Sequence, residues 1–523
     1  MHGLMMDRPL LIRDIAERVH RLFGDREIVS RTHTDVERTT YGEVVRRARR
    51  LASSLQRLGI EPGDRVATFG WNSRRHLELY LAVPSMGAVL HTLNIRLFED
   101  DLHYIVGHAE DRIVFLDASL ADVMPRFEGV EREVLMPDGE GERAGALDYE
   151  QLIADGDEAF QFPDVDERSA AAMCYTSGTT GRPKGVLYSH RSTVLHSLGA
   201  NQTDGLGLSH RDSVMPVVPM FHVNAWGLPY AAAMTGSRLV LPGPRMAPGD
   251  LAELISSEKV TFTAGVPTIW QGMMRLDPAP DLSSLNEIIC GGSAVPESLI
   301  RGFQERFDVP IVQAWGMTET SPLASISRLG ADAPEDEDAR FALRATQGRV
   351  VPLVDFRIDE ESGGELEVQG PWVASAYYGD DTGEDKFTDD GWLRTGDVAE
   401  VVHGSFIKLV DRTKDLVKSG GEWISSVELE NVVMGHPEVL EAAVIAVPDD
   451  EWGERPCACV VRCEGSDLDA DGVRSYLSDR VAKWWVPERV EFIEEVPKTS
   501  VGKFDKKVLR RRLADERDGD ANA

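Results

Sequence analysis

The amino-acid sequence predicts an α/β protein with a large N-terminal domain of layered α/β sheets, a β subdomain and a small α+β C-terminal domain. Helix-like and strand-like segments alternate from residue 40 to residue 316. Beyond about residue 340 the segments alternate apolar and polar residues, and a charged, glycine-containing stretch follows at 411–425. The first pattern is typical of sheets covered by helices, and the second of antiparallel strands.

The individual elements follow from their periodicity. Apolar residues recur at helical spacing over 41–59 and end at Gly59, which predicts an amphipathic helix. Short apolar runs predict strands at 65–70, 113–117, 238–242, 261–267, 287–292 and 310–316. Ligands bind at the carboxyl ends of strands in open α/β sheets, so the residues that close these runs are candidates for a site.

The domain boundary is predicted at Asp411. Residues 364–373 and 405–411 alternate as antiparallel strands do, which places a β subdomain at about 340–410 within an N-terminal domain of 1–410. A new unit with a helix-like start at 427–437 then occupies the rest of a C-terminal domain of 411–523. A chain of 523 residues exceeds one ordinary core, in agreement with two or more domains.

The charge of the chain argues against nucleic-acid binding. There are 88 acidic and 56 basic residues, giving a formal net charge of -32 that is spread along the sequence. Only 11 of the basic residues are lysine, and none precedes Lys184. The acidity suggests a salt-adapted, strongly hydrated surface, and the scarcity of lysine makes Lys184 more informative where it occurs in a glycine-rich segment.

The cysteines and the apolar segments predict a cytoplasmic protein without a membrane span. Five cysteines, an odd number, and an amino terminus unlike a secretory signal are typical of a reducing compartment. Cys457, Cys459 and Cys463 lack zinc spacing and a nearby histidine, so alternate positions of one strand explain them better than a metal site. The longest apolar stretch, at 79–93, is interrupted by proline and glycine and is too short for a bilayer.

The strongest local signal is the segment YTSGTTGRPKG at 175–185. Glycines allow backbone amides to approach an anion, hydroxyls donate hydrogen bonds, and a lysine supplies positive charge, so the segment is suited to polyphosphate. A Walker loop is excluded because Pro183 and Gly185 flank Lys184. The candidate phosphate-binding residues are Thr176, Ser177, Gly178, Thr179, Thr180, Gly181 and Lys184.

Further motifs follow in a fixed order. They are PMFHVNAW at 219–226, CGGSA at 290–294, QAWGMTET at 313–320, WLRTGD at 392–397, DRTKDLVKSGGEW at 411–423 and KTSVGKFDKKVLR at 498–510. Together with the segment at 175–185 they resemble the adenylate-forming acyl-CoA synthetases over about residues 25–510. The resemblance is strongest to synthetases for long-chain and medium-chain fatty acids, and it extends to methylthiopropionate ligases.

The resemblance implies roles for residues of the N-terminal domain. His222 is expected beside the reacting carboxylate, Val223 among the nucleotide-binding residues, and Trp226 as a gate of the acyl tunnel. Trp315 would stack on adenine where the family usually has tyrosine. The remaining nucleotide residues implied on this side are Gly292, Gln313, Ala314 and Thr318, with Thr176 and Glu319 holding Mg²⁺.

It also implies roles near and beyond the boundary. Asp397 and Arg412 would bind the ribose hydroxyls, and Lys414 would be the hinge of a mobile C-terminal domain. Lys503 would contact the substrate carboxylate and the α-phosphate. The others are Lys418 and Trp423, which would face the nucleotide, and Gly420 and Gly421, which would border the pantetheine tunnel of coenzyme A.

The implied reaction is the ATP- and magnesium-dependent activation of a carboxylic acid as acyl-AMP, followed by transfer to coenzyme A. A carboxylate oxygen is a poor leaving group, so adenylation must precede attack by the thiol. The implied catalytic residues are Lys184, His222, Glu319 and Lys503, and the implied assembly is a homodimer.

Several alternatives remain open at this level. The acid could be 3-methylthiopropionate or another short-chain acid instead of a fatty acid. A peptide-synthetase adenylation domain would need an acidic side chain near His222, and a luciferase-like oxygenase would share the first half-reaction. An inactive nucleotide-binding scaffold is disfavoured because the implied functional residues are retained, namely Lys184, Glu319, Asp397, Arg412 and Lys503.

Overall fold

The structure is a computed structural model that describes residues 1, 3–176, 182–360, 364–379, 386–419, 422–449, 452–498 and 504–520. The predicted α/β class is confirmed, with two large sheets and two smaller ones. The helices are α1 (Ile12–Phe23), α2 (Tyr41–Arg57), α3 (Arg74–Ser85), α4 (Glu99–Ala109), α5 (Tyr149–Asp155), α6 (His190–Ala200), the short turn α7 (Val223–Trp226), α8 (Leu228–Thr235), α9 (Pro248–Glu258), α10 (Pro267–Met274), α11 (Glu297–Phe307), α12 (Glu337–Arg344), α13 (Ser426–Met434), α14 (Ala470–Ser478) and α15 (Lys506–Asp520).

The strands alternate with these helices through most of the chain. They are β1 (Glu27–Arg31), β2 (Val36–Thr40), β3 (Arg65–Phe69), β4 (Val89–Thr92), β5 (Asp111–Asp117), β6 (Arg132–Met136), β7 (Leu147–Asp148), β8 (Ala170–Tyr175), β9 (Gly185–Ser189), β10 (Ser213–Pro216), β11 (Arg238–Leu241), β12 (Phe262–Gly265), β13 (Glu287–Cys290), β14 (Ile311–Gly316), β15 (Leu323–Ile326), β16 (Arg349–Val350), β17 (Asp355–Asp359), β18 (Glu365–Gln369), β19 (Leu393–Val402), β20 (Phe406–Arg412), β21 (Val417–Ser419), β22 (Glu422–Ile424), β23 (Val439–Asp449), β24 (Gly453–Arg462) and β25 (Arg489–Phe492).

Two large sheets form the body of the protein. The nine-stranded sheet has the order β16-β15-β14-β13-β12-β10-β11-β1-β2, and the seven-stranded sheet has the order β7-β6-β5-β3-β4-β8-β9. Their central strands pair in parallel, as crossover helices require. The hairpin β8-β9 is antiparallel and forms one edge of the seven-stranded sheet.

The predicted elements of this region are confirmed. The helix expected over 41–59 is α2, whose first turn is capped by the Thr40 side chain accepting from the Glu43 backbone N–H. All six predicted strands are present as β3, β5, β11, β12, β13 and β14. One apolar core contains Val66 of β3 and Leu239 of β11 together with buried residues of α2 and α3, so the two large sheets share a single interior.

Antiparallel strands follow in the last third of the chain. Strands β17 to β20 form a four-stranded antiparallel sheet over Asp355–Arg412, as the alternating pattern predicts. Within the stretch expected as β subdomain, α12 and β16 precede this sheet, and β16 completes the nine-stranded sheet instead. The remaining sheet joins β21 to β25. The division into domains at residue 411 stays a prediction.

Two further features of the sequence can be located. Cys457 and Cys459 lie two positions apart on β24, and both are buried. Within the part of the chain that the structure describes, no helix combines the length and apolarity needed to cross a membrane.

Buried histidines predict that the protein loses stability in mild acid. Burial lowers the pKa of His76, His190 and His196 from 6.5 to about 4, so the folded state keeps them neutral while the unfolded state binds protons between these values. The contribution of these histidines to the free energy of unfolding is therefore fully present above pH 6.5, and it falls as the pH drops towards 4. Each extra proton bound by the unfolded chain lowers the free energy of unfolding by up to about 1.4 kcal/mol per pH unit.

Urea unfolding at pH values between 7 and 5 measures this loss. Replacing His190 by glutamine should make the pH dependence less steep, because one proton is removed from the balance. The same replacement at the exposed His210 should leave the slope unchanged. Equal slopes for the parent and the His190→Gln variant would contradict the assignment.

Candidate active site

The candidate site contains residues predicted from the sequence that lie on or just after strands of three different sheets. Thr176 follows β8, Gly292 follows β13, and Trp315 lies near the end of β14. From the four-stranded sheet, Asp397 on β19 pairs across with Arg412 at the end of β20. Residues that are hundreds of positions apart are thus brought to one region by the topology, as expected for an open α/β sheet.

Eight of the predicted site residues lie outside the described residues. They are Ser177, Gly178, Thr179, Thr180, Gly181, Gly420, Gly421 and Lys503. The base of the phosphate segment is described, and it is closed by Thr176 and Lys184. The Thr176 N–H donates to the Lys184 carbonyl at 2.9 Å, and the Lys184 N–H donates to the Thr176 hydroxyl oxygen at 3.1 Å.

A three-residue cluster connects this hairpin to the 3-10 turn at Thr318–Thr320. The Lys184 Nζ lies 4.9 Å from the ring centroid of Tyr377, and the Tyr377 hydroxyl donates to Glu319 Oε1 at 2.6 Å. Glu319 is only 6% exposed. The cluster therefore presents a cation over the face of one aromatic ring and a buried carboxylate at the hydroxyl of the same ring.

The turn that carries Glu319 is fixed by its neighbours. The hydroxyl of Tyr188, on β9, donates to the Thr318 carbonyl at 2.8 Å. The Ala374 N–H donates to the Glu319 carbonyl at 2.7 Å. The phosphate hairpin and the loop after β18 thus hold the same turn, which limits how far the carboxylate can move.

A second cluster is centred on Asp397. Its Oδ1 pairs with Arg412 Nε at 2.9 Å, and its Oδ2 accepts a hydrogen bond from the Trp315 indole N–H at 3.1 Å. Asp397 is buried, whereas Arg412 is partly open to solvent. The carboxylate predicted from one motif thus contacts both the aromatic side chain and the guanidinium predicted from two others. Trp315 makes its contact through the indole N–H.

The glycine loop after β13 lies against the β14 segment. The buried Gln313 side chain accepts from the Val295 N–H at 2.9 Å, so it supports the loop. A methyl group on Gly291 would lie 2.5 Å from the Ala314 carbonyl oxygen, and Gly292 has φ of +84°. Gly291 is required because the backbone of β14 passes so close, and Gly292 is favoured by its positive φ.

The segment expected on the acyl side has an unusual backbone. Val223, Asn224, Ala225 and Trp226 all have φ between 45° and 56°, in the left-handed region, and α7 is therefore a left-handed turn. Each non-glycine residue in this conformation costs roughly 1–2 kcal/mol. His222 directly precedes the turn, and the Trp226 ring lies 3.4 Å from the position of a methyl group on Gly291.

The predicted site residues after residue 412 that the structure describes are Lys414, Lys418 and Trp423. Lys414 lies in a turn after β20, and burial lowers its pKa. Lys418 and Trp423 face each other across the β21-β22 hairpin, with Nζ 5.3 Å from the ring centroid, and Trp423 is 52% exposed. In this arrangement of the chain these two side chains pair with each other.

Comparison with known proteins identifies the family. A family model for the AMP-binding enzyme matches residues 16–378, and a second model, for the AMP-binding enzyme C-terminal domain, matches residues 428–503. The chain belongs to the AMP-binding enzyme family. The family predicted from the motifs is thereby confirmed.

Three relatives that match this AMP-binding enzyme over nearly their whole length are acyl-CoA ligases. It is 45% identical to a 3-methylmercaptopropionyl-CoA ligase of Ruegeria pomeroyi, over 98% of this chain and 99% of the relative. It is 44% identical to a medium-chain-fatty-acid–CoA ligase of Ectopseudomonas oleovorans, over 98% of both chains. It is 46% identical to a long-chain-fatty-acid–CoA ligase of Thermus thermophilus, over 97% of this chain and 96% of the relative. The predicted enzyme class, an acyl-CoA ligase of the AMP-binding family, is confirmed.

Solved structures agree with this fold. ATP-bound MatB from Rhodopseudomonas palustris superimposes with a TM-score of 0.81 at 27% identity, covering 96% of this chain and 98% of that chain. An anthranilate CoA ligase in complex with anthranoyl-AMP superimposes with a TM-score of 0.87 at 24% identity, covering 98% and 99%. The AMP-binding enzyme thus has the fold of adenylate-forming ligases.

Sequence reasoning missed two features of this AMP-binding enzyme. Tyr377 contacts both Lys184 and Glu319, yet it lies in a loop without a recognised motif. The aromatic pair at 377–378, in a loop between strands, was the available signal. The left-handed turn at 223–226 was also missed, because only Asn224 among its residues favours that conformation.

Proposed function

We propose that this ligase activates a medium-chain or long-chain fatty acid with ATP and transfers the acyl group to coenzyme A. The observation that carries the proposal is the Lys184, Tyr377 and Glu319 cluster beside the phosphate hairpin. It offers opposite charges at the place where pyrophosphate must leave and a metal-bound phosphate must be held. Relatives acting on medium-chain and long-chain fatty acids, each matched over nearly the whole chain, support the acid class.

A second candidate substrate is 3-methylthiopropionate. It is favoured by the 45% identity to 3-methylmercaptopropionyl-CoA ligase of Ruegeria pomeroyi. Both candidates share the same chemistry at the carboxyl group, so they differ only in the tail that the acyl side must accept.

The nucleotide is proposed to bind between the two side-chain clusters. Adenine stacks on Trp315 and is lined by Gly292, Gln313 and Ala314. The ribose hydroxyls donate to Asp397, which Arg412 orients through their 2.9 Å contact. Thr176 and Lys184 close the hairpin next to the polyphosphate, together with the residues at 177–181.

The donor set near the polyphosphate fits magnesium. Glu319 and Thr176 supply a carboxylate and a hydroxyl, and a hard cation bound by few protein ligands takes its remaining oxygens from phosphate and water. Tyr377 donates to Oε1 of Glu319, which leaves Oε2 as the proposed metal ligand. When bound, Mg²⁺ would offset negative charge on the phosphates.

Adenylation begins with attack of the substrate carboxylate on the α-phosphorus, which forms acyl-AMP and releases pyrophosphate. Lys184 offsets charge on the departing group, and His222 is proposed to lie beside the carboxylate. Lys503 is proposed to orient the carboxylate against the α-phosphate. The thiol of coenzyme A then attacks the acyl carbonyl, and AMP leaves with the electron pair of the broken acyl-phosphate bond.

The second half-reaction is proposed to follow a rotation of residues 411–523 about Lys414. Rotation would withdraw Lys503 and present Gly420 and Gly421 along the coenzyme A path, while Lys418 and Trp423 change their position relative to the nucleotide. The resemblance also supports a homodimer. All five cysteines are free thiols, which supports a reducing, cytoplasmic location.

Replacing Asp397 by asparagine should raise the KM for ATP about 10-fold to 100-fold. The amide accepts weaker hydrogen bonds from the ribose and loses its pairing with Arg412. Initial-rate kinetics with ATP as the varied substrate measure the change. The matched control is Asp390→Asn, which removes an exposed aspartate paired with Arg357 at 2.6 Å. An unchanged KM for ATP in the Asp397 variant would remove this residue from the ribose site.

The substrate class is tested with a panel of acids. Coenzyme A thioesters formed from acetate, 3-methylthiopropionate, octanoate and palmitate are quantified at subsaturating concentration, so that the rates report kcat/KM. The proposal expects octanoate or palmitate to give the highest value. A maximum at 3-methylthiopropionate would select the second candidate, and a maximum at acetate would overturn both.

A further inference from the structure

The left-handed turn at Val223–Trp226 is supported by a buried polar network outside the motifs. Asn72, which precedes α3, is only 3% exposed. Its Nδ2 donates to the carbonyls of Pro216 and Val218 at 2.8 and 3.0 Å, and its Oδ1 accepts from the Met220 N–H at 2.6 Å. One side chain thus fixes three backbone groups of the segment that leads into the turn.

Tyr80 completes this network from the middle of α3. Its hydroxyl donates to the Met220 carbonyl and lies 3.3 Å from Asn224 Oδ1, and the whole side chain is buried. Asn224 is the second residue of the left-handed turn. A single hydroxyl therefore contacts the segment before the turn and a side chain within it.

The Asn224 amide oxygen also accepts a hydrogen bond from a strand of the seven-stranded sheet. Cys174, on β8, donates its thiol proton to Asn224 Oδ1 at a distance of 3.6 Å. Burial raises the pKa of this thiol to about 11, so the proton stays on sulfur at neutral pH. Side chains of α3 and of the strand that leads into the phosphate segment thus both contact the turn.

A strained backbone persists only when its surroundings hold it in place. Four consecutive non-glycine residues in the left-handed region make this turn dependent on such contacts. The turn ends with Trp226, whose ring packs against the loop of Gly291 and Gly292. Any relaxation of the turn would therefore move this ring.

We propose that Tyr80 is a positioning residue that holds the left-handed turn and thereby sets the place of Trp226 on the acyl side of the site. Tyr80 does not touch the nucleotide or the reacting carboxylate in this account. It acts on the choice of acid through the backbone of 220–226. This role in substrate selection rests on the proposed function, whereas the effect on Trp226 does not.

The test replaces Tyr80 by phenylalanine, which removes the hydroxyl and keeps the ring. The matched control is Tyr149→Phe: Tyr149 is also fully buried and donates to Glu78 of the same helix at 2.6 Å, away from the turn. Each protein is labelled with 5-fluorotryptophan, and the ¹⁹F resonance of Trp226 is assigned among the ten tryptophans with a Trp226→Phe variant.

We expect the Trp226 resonance to shift or split in Tyr80→Phe and to stay in place in Tyr149→Phe. The ratio of kcat/KM for octanoate and palmitate should change about fivefold in Tyr80→Phe, the effect of one net hydrogen bond, while the KM for ATP stays within about twofold. An unmoved Trp226 resonance in Tyr80→Phe, or equal shifts in both variants, would overturn the proposal.

The two readouts separate this inference from the proposed function. If the Trp226 resonance shifts in Tyr80→Phe but the parent enzyme activates none of the acids, the positioning role is upheld and the fatty-acid substrate is overturned. If the parent enzyme activates the fatty acids but the Trp226 resonance does not move in Tyr80→Phe, the proposed function is upheld and the positioning role is overturned. A shifted resonance with an unchanged ratio of the two acids would overturn the role of Tyr80 in selection.

Discussion

Replacing Glu319 by glutamine is expected to lower the rate of acyl-adenylate formation by about 100-fold or more, with AMP binding retained. The substitution keeps the size of the side chain and removes the negative charge proposed to hold Mg²⁺. Glu319 is buried and receives a hydrogen bond from Tyr377, and an amide oxygen can still accept that bond. The loss should therefore reflect charge more than folding. Pyrophosphate release in the pre-steady state, at several magnesium concentrations, measures it.

Two further variants locate the effect of Glu319. Tyr377→Phe removes the hydrogen bond to the carboxylate and should give an intermediate loss, because the carboxylate keeps its charge but loses its orientation. Glu287→Gln makes the same chemical change at the start of β13, where Glu287 pairs with Arg328, and should leave adenylation near normal. Near-normal turnover of Glu319→Gln at ordinary magnesium would exclude Glu319 from the metal site.

Replacing Lys503 by alanine is expected to reduce pyrophosphate release from acid and ATP by about 100-fold or more. Lys503 lies outside the described residues, but both flanks of its segment are anchored. Lys498 pairs with Glu441 at 2.7 Å and bridges to Phe504, and Lys506 is buried against Glu430 at 2.7 Å. Lys503 should therefore move with residues 411–523, so its loss should affect the first half-reaction only.

The two half-reactions are measured separately to test this. Lys503→Ala should form thioester from supplied acyl-adenylate and coenzyme A at a nearly normal rate. Gly421→Leu should show the opposite pattern, because a branched side chain obstructs the proposed thiol path. Lys507→Ala, which removes an exposed lysine four positions away, is the control and should affect neither step. Equal loss of both half-reactions in Lys503→Ala and Gly421→Leu would contradict the alternation of the C-terminal domain.

Much of the fold could be predicted because its signals are local. The helix at Tyr41–Arg57 follows from apolar spacing and a threonine cap, and each strand near the site is a short apolar run with a clear end. The contact between Trp315 and Asp397 joins motifs 82 positions apart. The sequence predicted only that both residues bind the same nucleotide, because spacing along the chain gives no distance between motifs.

The features that were missed depend on tertiary contacts. Valine, alanine and tryptophan disfavour the left-handed region, so no local pattern predicts the turn at Val223–Trp226. It is held by Asn72 and Tyr80, which lie about 140 positions earlier in the chain. Tyr377 is similar, because its role arises only where its loop meets the phosphate hairpin. Such residues are visible once the fold has placed them.

We propose that the acid is activated as an acyl-adenylate before coenzyme A takes part. The most direct measurement is the exchange of labelled pyrophosphate into ATP, with a fatty acid present and coenzyme A absent. We expect exchange that requires both the acid and magnesium, and AMP as the nucleotide product once coenzyme A is added. Absence of exchange without coenzyme A, or release of ADP and phosphate instead of AMP and pyrophosphate, would contradict it.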